Sequence, residues 1–248
     1  MSPCAERAVV SAWLTALDFD WSALHPAGRE VSFQRDEAVF HEGELAEMVY
    51  IVVDGRVRLS TFAVDGRERH LMIVGANGIV GDCGLPASGR YVLSAFASSP
   101  ARLLSIPAKA LLRALEREPA IARQHTALAS RRFRVLLQQL ELQAHNSASR
   151  RVCHHLIGLG NAYGTPVPEG LRIGITYTQE EMGNICGLSR VSVSNIFSRL
   201  RRDGIVTLQQ RHTVVKDAAA LEAIARGRGS PWEIAAGAAP SVKRLTDA

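Results

Sequence analysis

In the first half of the chain, apolar and polar residues alternate with a period of two, and glycine interrupts the pattern often. Between Val31 and Pro107, short alternating runs are separated by turn residues, including two Val-Asp-Gly sequences at 53–55 and 64–66. Glycine supplies the positive φ that tight hairpin turns need. Several short strands joined by such turns predict a small barrel or roll. A short helix over residues 5–17 is expected to precede it.

The pattern changes at Pro107, after which glycine disappears and helix formers dominate to about residue 144. Pro119 is expected to separate a short helix from a long one, because proline fits only the first turn of a helix. The long helix carries an apolar heptad row, widened by Phe133, Leu137 and Leu140, whose members are Ile121, Leu128, Val135 and Leu142. Such a row favours pairing with a second copy of the helix. The alternative is that the row packs on the β-domain of its own chain.

A helix-turn-helix is predicted from residue 178 onward. Thr178 and Glu181 have the spacing of a capping box, which marks the start of a helix. Gly183 is small where a second helix must cross closely, Gly187 suits a turn with positive φ, and Ser189 can cap the second helix. The second helix has a predicted buried face made of Val193, Ile196, Phe197 and Leu200.

The opposite face of this second helix contains no acidic residue; it consists of Arg190, Ser194, Asn195, Ser198, Arg201 and Arg202. A helix that is merely solvated usually carries Glu and Lys pairs. A helix that enters the major groove between two rows of phosphates is expected to be free of acid. After the Asp203-Gly204 turn, residues 205–215 form two apolar-alternating runs that predict a β-wing. The pattern favours a DNA-binding winged helix, although helix-turn-helix units also serve as packing units in other proteins.

Composition and charge agree with a globular protein of two domains. The 248 residues are 47% hydrophobic and 21% charged, and no apolar run is long enough for a membrane helix. The N-terminus lacks the apolar core of a signal peptide, so we expect a cytoplasmic protein without a membrane partner. Residues 1–122 hold 12 basic and 15 acidic residues, a balance of −3, whereas residues 123–248 hold 17 and 9, a balance of +8. The basic second half is suited to a polyanion.

The sequence offers no catalytic or metal-binding pattern. Its cysteines lie far apart without a C-x-x-C spacing, at Cys4, Cys83, Cys153 and Cys186. We expect reduced thiols and no metal site, with a redox-active pair as the alternative. The chain also lacks a nucleophile–base pattern and a phosphate-binding loop, so an enzyme is not expected.

Two segments carry a resemblance to a known family. "FHEGELAEMVYIVVDGRVRL" at 40–59 and "YTQEEMGNICGLSRVSVSNIFSRLRRDGIV" at 177–206 resemble the CRP/FNR superfamily of bacterial transcription regulators, and the resemblance covers about residues 30–216. It implies an α+β fold with a cyclic-nucleotide-binding-type β-roll at 1–106, a hinge and long dimerisation helix at 107–146 and a winged helix-turn-helix at 147–216. A C-terminal helix and loosely ordered tail are expected at 217–248. The implied function is a homodimeric regulator that binds inverted-repeat DNA, with RNA polymerase as a further candidate partner.

The resemblance also implies roles for individual residues. The base-reading positions are occupied by Arg190, Val191 and Asn195, and the positions at or near the DNA backbone are Thr178, Gln179, Ser189, Ser192, Ser198 and Arg211. Arg190 can pair with guanine O6 and N7, Asn195 with adenine N6 and N7, and Val191 offers only an apolar contact. The best-known members carry Glu in place of Val191 and Arg in place of Asn195, so their half-site sequences are not expected here.

The effector pocket implied by the resemblance comprises Gly81, Asp82, Leu93, Ser94, Leu136 and Leu137. Members that respond to cyclic AMP use a Gly-Glu pair for the ribose and an Arg-Ser pair for the phosphate. Here Leu93 replaces that arginine, and an anionic phosphate would lose its charge-assisted bonds, so cyclic AMP is not expected. The cofactor is unknown. Three alternatives stay open: a different ligand, a haem held by His41 or His70, or no effector. A β-roll signalling module whose winged helix binds protein is the rival function.

Overall fold

A computed structural model describes residues 11–15, 17–85 and 88–227 of the chain. Cys4, the start of the predicted 5–17 helix and the predicted tail from residue 228 lie outside these ranges. None of the helices in the described part combines the length and apolar character that a membrane crossing requires. The three described cysteines are free thiols: Cys83 is exposed, whereas Cys153 and Cys186 are buried.

The N-terminal part is a β-roll of two facing sheets, as the alternating pattern predicts. One sheet has the strand order β1-β6-β5-β8-β3 and the other β2-β9-β4-β7. A 3₁₀ helix, Ser22–Ala27, precedes β2. The strands are β1 Trp13–Leu14, β2 Arg29–Phe33, β3 Ala38–Phe40, β4 Met48–Asp54, β5 Val57–Phe62, β6 Glu68–Val74, β7 Ile79–Val80, β8 Ser94–Ala97 and β9 Ala101–Pro107. Both Val-Asp-Gly turns are confirmed, with φ of 82° at Gly55 and 81° at Gly66.

The prediction of a helix over residues 5–17 is wrong for the residues that the structure describes. Trp13–Leu14 forms a parallel strand beside β6, with Trp13 opposite Ile73. The Ile73 amide donates to the Ala12 carbonyl at 2.9 Å, and the Gly75 amide donates to the Leu14 carbonyl at 2.9 Å. Ala12, Trp13 and Leu14 are all buried, which a surface helix does not allow. Pairing with a sheet edge therefore overrides local helix propensity.

The helices after the roll are α1 Ala108–Arg117 and α2 Pro119–His145, and Pro119 stands in the first turn of α2 as predicted. The heptad row of α2 is buried within its own chain: Ile121 is 3% exposed, Leu128 0%, Val135 1% and Leu142 6%. Ile121 and Leu128 pack in a core with α1 and β4, and Val135 joins the core of the roll. The assignment of this row to a partner helix is therefore contradicted, because intramolecular packing already covers its side chains.

The C-terminal part is a winged helix-turn-helix. The strand order of its sheet is β10-β11-β13-β12. One strand of this sheet, β11 Gly170–Ile173, ends where the chain leaves the sheet and the Gly174 amide donates to the Tyr163 carbonyl. The elements are α3 Ala148–Tyr163, β10 Gly164–Val167, β11 Gly170–Ile173, α4 Gln179–Cys186, α5 Arg190–Arg202, β12 Val206–Gln209, β13 His212–Val215 and α6 Ala218–Arg226.

The two domains touch along β6, the turn between β4 and β5, and the N-terminal strand. The side chains of Asn184 in α4 and His70 in β6 lie 3.3 Å apart, and Arg56 donates to the Thr176 carbonyl at 2.9 Å. Trp13 packs near Tyr177, with 6.1 Å between ring centroids. One cluster of buried apolar residues is continuous from the roll into the winged helix. The domain arrangement is thus held by apolar packing and a few polar bonds.

Candidate nucleic-acid interface

The start of α4 has the predicted capping box. The Glu181 amide donates to Thr178 Oγ1 at 3.0 Å, and the Thr178 amide donates to Glu181 Oε2 at 2.7 Å. These reciprocal bonds satisfy amides that the first helical turn leaves unpaired. The box therefore fixes where α4 begins and where its first residues face.

The turn between α4 and α5 depends on two glycines. Gly187 has a φ of 64°, in the left-handed region that side chains rarely adopt. A Cβ atom at Gly183 would lie 2.7 Å from the Leu188 carbonyl oxygen, closer than real contacts allow. Both positions therefore require glycine for the tight crossing of the two helices, as the sequence predicts.

Helix α5 is fixed at its start by Ser189, whose Oγ accepts a hydrogen bond from the Ser192 amide at 3.1 Å. Its buried face is the predicted one: Val193, Ile196, Phe197 and Leu200 are all 8% exposed or less. The cap and this apolar face fix how α5 is rotated about its axis. The opposite side of the helix therefore points away from the core.

The outward side of α5 is exposed and free of acid. Val191 is 68% exposed, and the other exposed side chains are Arg190, Asn195, Ser198, Arg201 and Arg202. A guanidinium, an amide and an apolar side chain are the groups that can distinguish base edges in the major groove. An exposed apolar residue within an otherwise polar face has no role in packing its own domain.

The candidate backbone contacts have different surroundings. The Ser189 and Ser192 hydroxyls lie 2.9 Å apart at the start of α5, and Arg201 donates to Ser198 Oγ at 3.3 Å. Gln210 and Arg211 have φ values of 46° and 69° and form the tight turn of the wing. This turn directs the exposed Arg211 to the tip of the β12–β13 hairpin. Thr178 and Gln179 stand at the start of α4, with the Thr178 hydroxyl already engaged in the capping box.

The acidic residue of the predicted effector pocket is used inside the protein. Asp82 is 4% exposed and accepts two bonds from Arg132 Nη1 of α2, at 3.0 and 2.8 Å, while His125 Nε2 lies 2.9 Å from Asp82 Oδ2. Arg132 also donates to the Ile79 carbonyl. Burial opposes ionisation of Asp82, but the Arg132 charge and the His125 bond hold its pKa well below its usual range. Asp82 is therefore an ionised, fully partnered group.

The rest of this predicted pocket is nearly filled. Gly81 and Leu93 line a cavity of only about 10 Å³, beside the stacked rings of Phe40 and Tyr91. That volume is about what one water molecule needs. The Ser94 hydroxyl accepts a bond from the Glu42 amide at 3.0 Å. Among the described residues, Asp82 and Ser94 have internal partners and the cavity at Gly81 and Leu93 is too small for a nucleotide, so these residues do not form an open pocket in the structure.

Leu136 and Leu137, predicted for the same pocket, do not line this cavity; they are 38% and 43% exposed on α2. Sequence reasoning also missed Arg132. A signal was available, because Arg132 and Gln139 each lie four residues after a member of the buried heptad row. A polar residue in an apolar stripe indicates a buried partner.

Of the two histidines considered for haem, His41 is exposed with its ring edge against Phe96, at 5.6 Å between centroids, and His70 is engaged elsewhere. His70 is 2% exposed, and its Nε2 lies 3.2 Å from Glu68 Oε1 as well as near Asn184. Burial would raise the pKa of Glu68, but hydrogen bonds from His70, Ser60 and Arg58 lower it to about 2. The described residues contain no group of three or more His, Cys, Asp or Glu placed to hold a metal ion.

Two family models match the chain, in the order of its two domains. One is the cyclic nucleotide-binding domain, over residues 30–118, and the other is the Crp-like helix-turn-helix domain, over residues 150–224. The cyclic AMP receptor protein of Thermus thermophilus is 30% identical over 86% of this chain and 91% of that protein. The global nitrogen regulator of Synechococcus elongatus is 27% identical over 76% of this chain and 86% of that protein.

Solved structures share the fold. FixK2 from Bradyrhizobium japonicum has a TM-score of 0.69 at 24% identity, covering 79% of this chain and 96% of that one. A CooA mutant from Carboxydothermus hydrogenoformans has a TM-score of 0.73 at 20% identity, covering 84% and 92%. Because its relatives are similar over most of both chains and both domain models match in order, the chain belongs to the CRP/FNR family of DNA-binding transcription regulators.

Proposed function

We propose that the chain acts as a homodimer that binds an inverted repeat through α5, in the cytoplasm and without catalysing a reaction. The observation that carries this proposal is the exposed, acid-free face of α5 on a capped and buried support. Two such faces related by a twofold axis fit successive major-groove segments, which lie about 34 Å apart. The inverted repeat then follows from the symmetry of the dimer.

Within this proposal, Arg190, Val191 and Asn195 read base edges. The backbone contacts come from Ser189, Ser192 and Ser198 along α5, Thr178 and Gln179 at α4, and Arg211 on the wing. Hydroxyl, amide and guanidinium groups are the usual partners of phosphate oxygens. Val191 selects for a methyl group or another apolar edge, so the half-site differs from those of family members with Glu at this position.

The proposed dimer interface is the outer face of α2 rather than the heptad row. Phe133 is 61% exposed, Leu136 38%, Leu137 43% and Leu140 67%. Their spacing of i, i+3, i+4 and i+7 places them on one side of the helix. A second copy of α2, packed on this side, would cover them all. Both recognition helices would then be held at a fixed separation.

The β-roll is proposed to work without cyclic AMP. The Thermus relative is named for that nucleotide. In this chain, however, Asp82, the acid that would meet a ribose, is paired with Arg132. Displacing a buried Arg–Asp pair leaves an uncompensated charge, which costs about 3–5 kcal/mol. A small-molecule effector that uses other groups, and contact with RNA polymerase, stay compatible with this reading.

The arrangement of the domains bears on DNA entry. The first residues of α5, including Arg190, border a crevice of about 650 Å³ whose far wall is the β5–β6 hairpin. A sugar–phosphate strand has to pass beside Arg190 to let it reach a base. We therefore expect the winged helix to move away from the hairpin when DNA binds, and the His70–Asn184 contact to break.

The test is selection of bound duplexes from a random pool, followed by titration of the selected duplex against wild type and Arg190→Ala. Arg102→Ala in the β-roll is the matched control, since Arg102 is an exposed arginine that lies 3.4 Å from Glu30. Recovery of an inverted repeat, with salt-dependent binding that Arg190→Ala weakens, supports the proposal. Failure to select any duplex would favour the rival signalling module, whose winged helix binds protein.

A further inference from the structure

A separate cavity, of about 280 Å³, lies between the β-roll and the wing side of the winged helix. One wall is formed by Arg35 and Arg56 of the roll. The other wall is formed by the start of α4, the end of α5 and the wing, and includes Thr178, Gln179, Glu181, Arg201, Leu208 and Arg211. Its volume is near the lower end of that of small-molecule sites. A molecule bound here would touch both domains at once.

The cavity carries an excess of positive charge. Four arginines and a single glutamate are the charged residues in its lining, a formal balance of +3. Arg35 lies 3.7 Å from Asp36 and 4.0 Å from Glu181, distances too long for hydrogen bonds. Arg35 is half-exposed and Arg211 is exposed. The lining is therefore suited to an anion, which guanidinium groups bind in bidentate pairs.

The one acid in the lining points to a second property of the ligand. Glu181 is 6% exposed, and its Oε2 accepts the bond from the Thr178 amide. Its Oε1 is buried and has no hydrogen-bond partner. A buried carboxylate oxygen without a donor is unfavourable. A ligand with an N–H or O–H group beside its anionic group would satisfy it after a small shift of side chains.

The third property is an apolar body. The lining also contains Tyr177, Phe197, Val206 and Leu208, and Leu208 is 58% exposed. Apolar side chains beside arginines are a typical surface for a flat ring that carries a charged group. An inorganic anion would leave this apolar surface uncovered.

We propose that this cavity binds a mononucleotide and that binding there opposes DNA binding. The phosphate lies between Arg35 of the roll and Arg211 of the wing, the base covers Phe197 and Leu208, and a donor on the nucleotide faces Glu181. The inhibitory part rests on the proposed function, in which Thr178, Gln179 and Arg211 meet the DNA backbone. A ligand that occupies these groups and ties the domains together excludes the duplex, and by linkage the duplex excludes the ligand.

The experiment uses the full chain and isothermal titration calorimetry with AMP, GMP and inorganic phosphate. Arg35→Glu is the main variant, because Arg35 belongs to the roll and has no role in the proposed DNA contacts; Arg102→Glu is its matched control. We expect a mononucleotide to bind, Arg35→Glu to weaken it about tenfold or more, and Arg102→Glu to leave it unchanged. Excess mononucleotide is expected to weaken duplex binding by wild type and to have little effect on Arg35→Glu.

Three results would overturn the proposal. The first is no binding of either mononucleotide, and the second is inorganic phosphate binding as tightly as AMP and GMP. The third is nucleotide binding that survives both Arg35→Glu and Arg56→Glu, which would place the nucleotide elsewhere. Failure of the proposed function is distinguishable, because nucleotide-free protein would then bind no selected duplex while calorimetry still detected the nucleotide and its dependence on Arg35.

Discussion

The part of the β-roll around Gly81, Asp82, Leu93 and Ser94, called the cassette from here on, and the outward face of α5 use polar side chains in opposite ways. In the roll, Asp82 is buried against Arg132 and His125, and the cavity beside it has about 10 Å³. On α5, Arg190 and Asn195 are exposed. The comparison teaches that family motifs alone do not identify a site. A polar group with an internal partner stabilises the fold, whereas an exposed one on a rigid support is available to a ligand.

Helix α2 joins the two regions. The largest effect that we expect is on dimerisation, from a substitution on the outer face of this helix. Leu140→Arg removes an apolar side chain from each copy and introduces two facing charges. Burying a leucine contributes about 1.5–3 kcal/mol, so two copies lose about 3–6 kcal/mol and the dimer dissociation constant rises more than about a hundredfold. Sedimentation measures this change. Leu45→Arg, at an exposed leucine of the roll, is the control, and a dimer that survives Leu140→Arg would contradict the interface.

The second prediction tests whether Arg132 stabilises the fold by pairing with Asp82. Arg132→Leu leaves Asp82 buried without its cation, so the free energy of unfolding is expected to fall by about 3–5 kcal/mol. Chemical denaturation of wild type and variant gives this difference. The double variant Asp82→Asn with Arg132→Leu is expected to recover part of the loss, since the uncompensated charge is gone. A loss of less than about 1 kcal/mol, which is what an exposed ion pair contributes, would contradict the stabilising role of the buried Arg132–Asp82 pair.

On the open face, Arg190→Ala is expected to cost about 1–3 kcal/mol of binding free energy per half-site and to relax specificity at one base position. Titration of the selected duplex and of single-base variants measures both quantities. A variant that binds as tightly as wild type, and with the same base preference, would remove Arg190 from the reading face.

The closed cassette also predicts a pH dependence. The pKa of Asp82 is lowered in the folded protein, so its stabilising contribution is fully present above the unfolded value of about 4 and is lost as pH falls through the folded pKa. The difference in unfolding free energy between wild type and Asp82→Asn is therefore expected to shrink as the pH falls below about 4. Denaturation at several pH values below 5 checks it, and a difference that grows as the pH falls through this range would reverse the assignment.

The smallest effect concerns the wing. Arg211→Ala is expected to weaken binding to all duplexes alike and to reduce the slope of log K against log salt by about 1 per half-site. A change in base preference without a change in salt slope would place Arg211 at a base instead of a phosphate.

Most of the fold could be predicted because it depends on local signals. The capping box at Thr178, the positive φ of Gly187 and the apolar face of α5 are all short-range patterns, and the structure has each of them. The strand at Trp13–Leu14 could not be predicted, because it depends on pairing with β6, some sixty residues away in sequence. Sequence patterns do not reveal which sheet edge lies beside a segment.

The face of α5 and the cassette of the β-roll differ in how much of each could be predicted from the sequence. Exposure of the α5 face follows from helical periodicity, so its residues were identified from the sequence. The closure of the cassette needs Arg132 of α2 and Asp82 of the roll, which are fifty residues apart, to meet in space. The heptad row of α2 was predicted to face a partner helix and is instead buried in its own chain, because a heptad row does not say whether its partner is another chain or the same one.

Equilibrium titration of the selected duplex, without and with saturating cyclic AMP, tests the central claim most directly. An open reading face and a closed cassette predict tight, salt-dependent binding without any added nucleotide, and cyclic AMP at the cassette should not strengthen it. Duplex binding that appears only when cyclic AMP is added, and disappears in Asp82→Ala, would contradict the account.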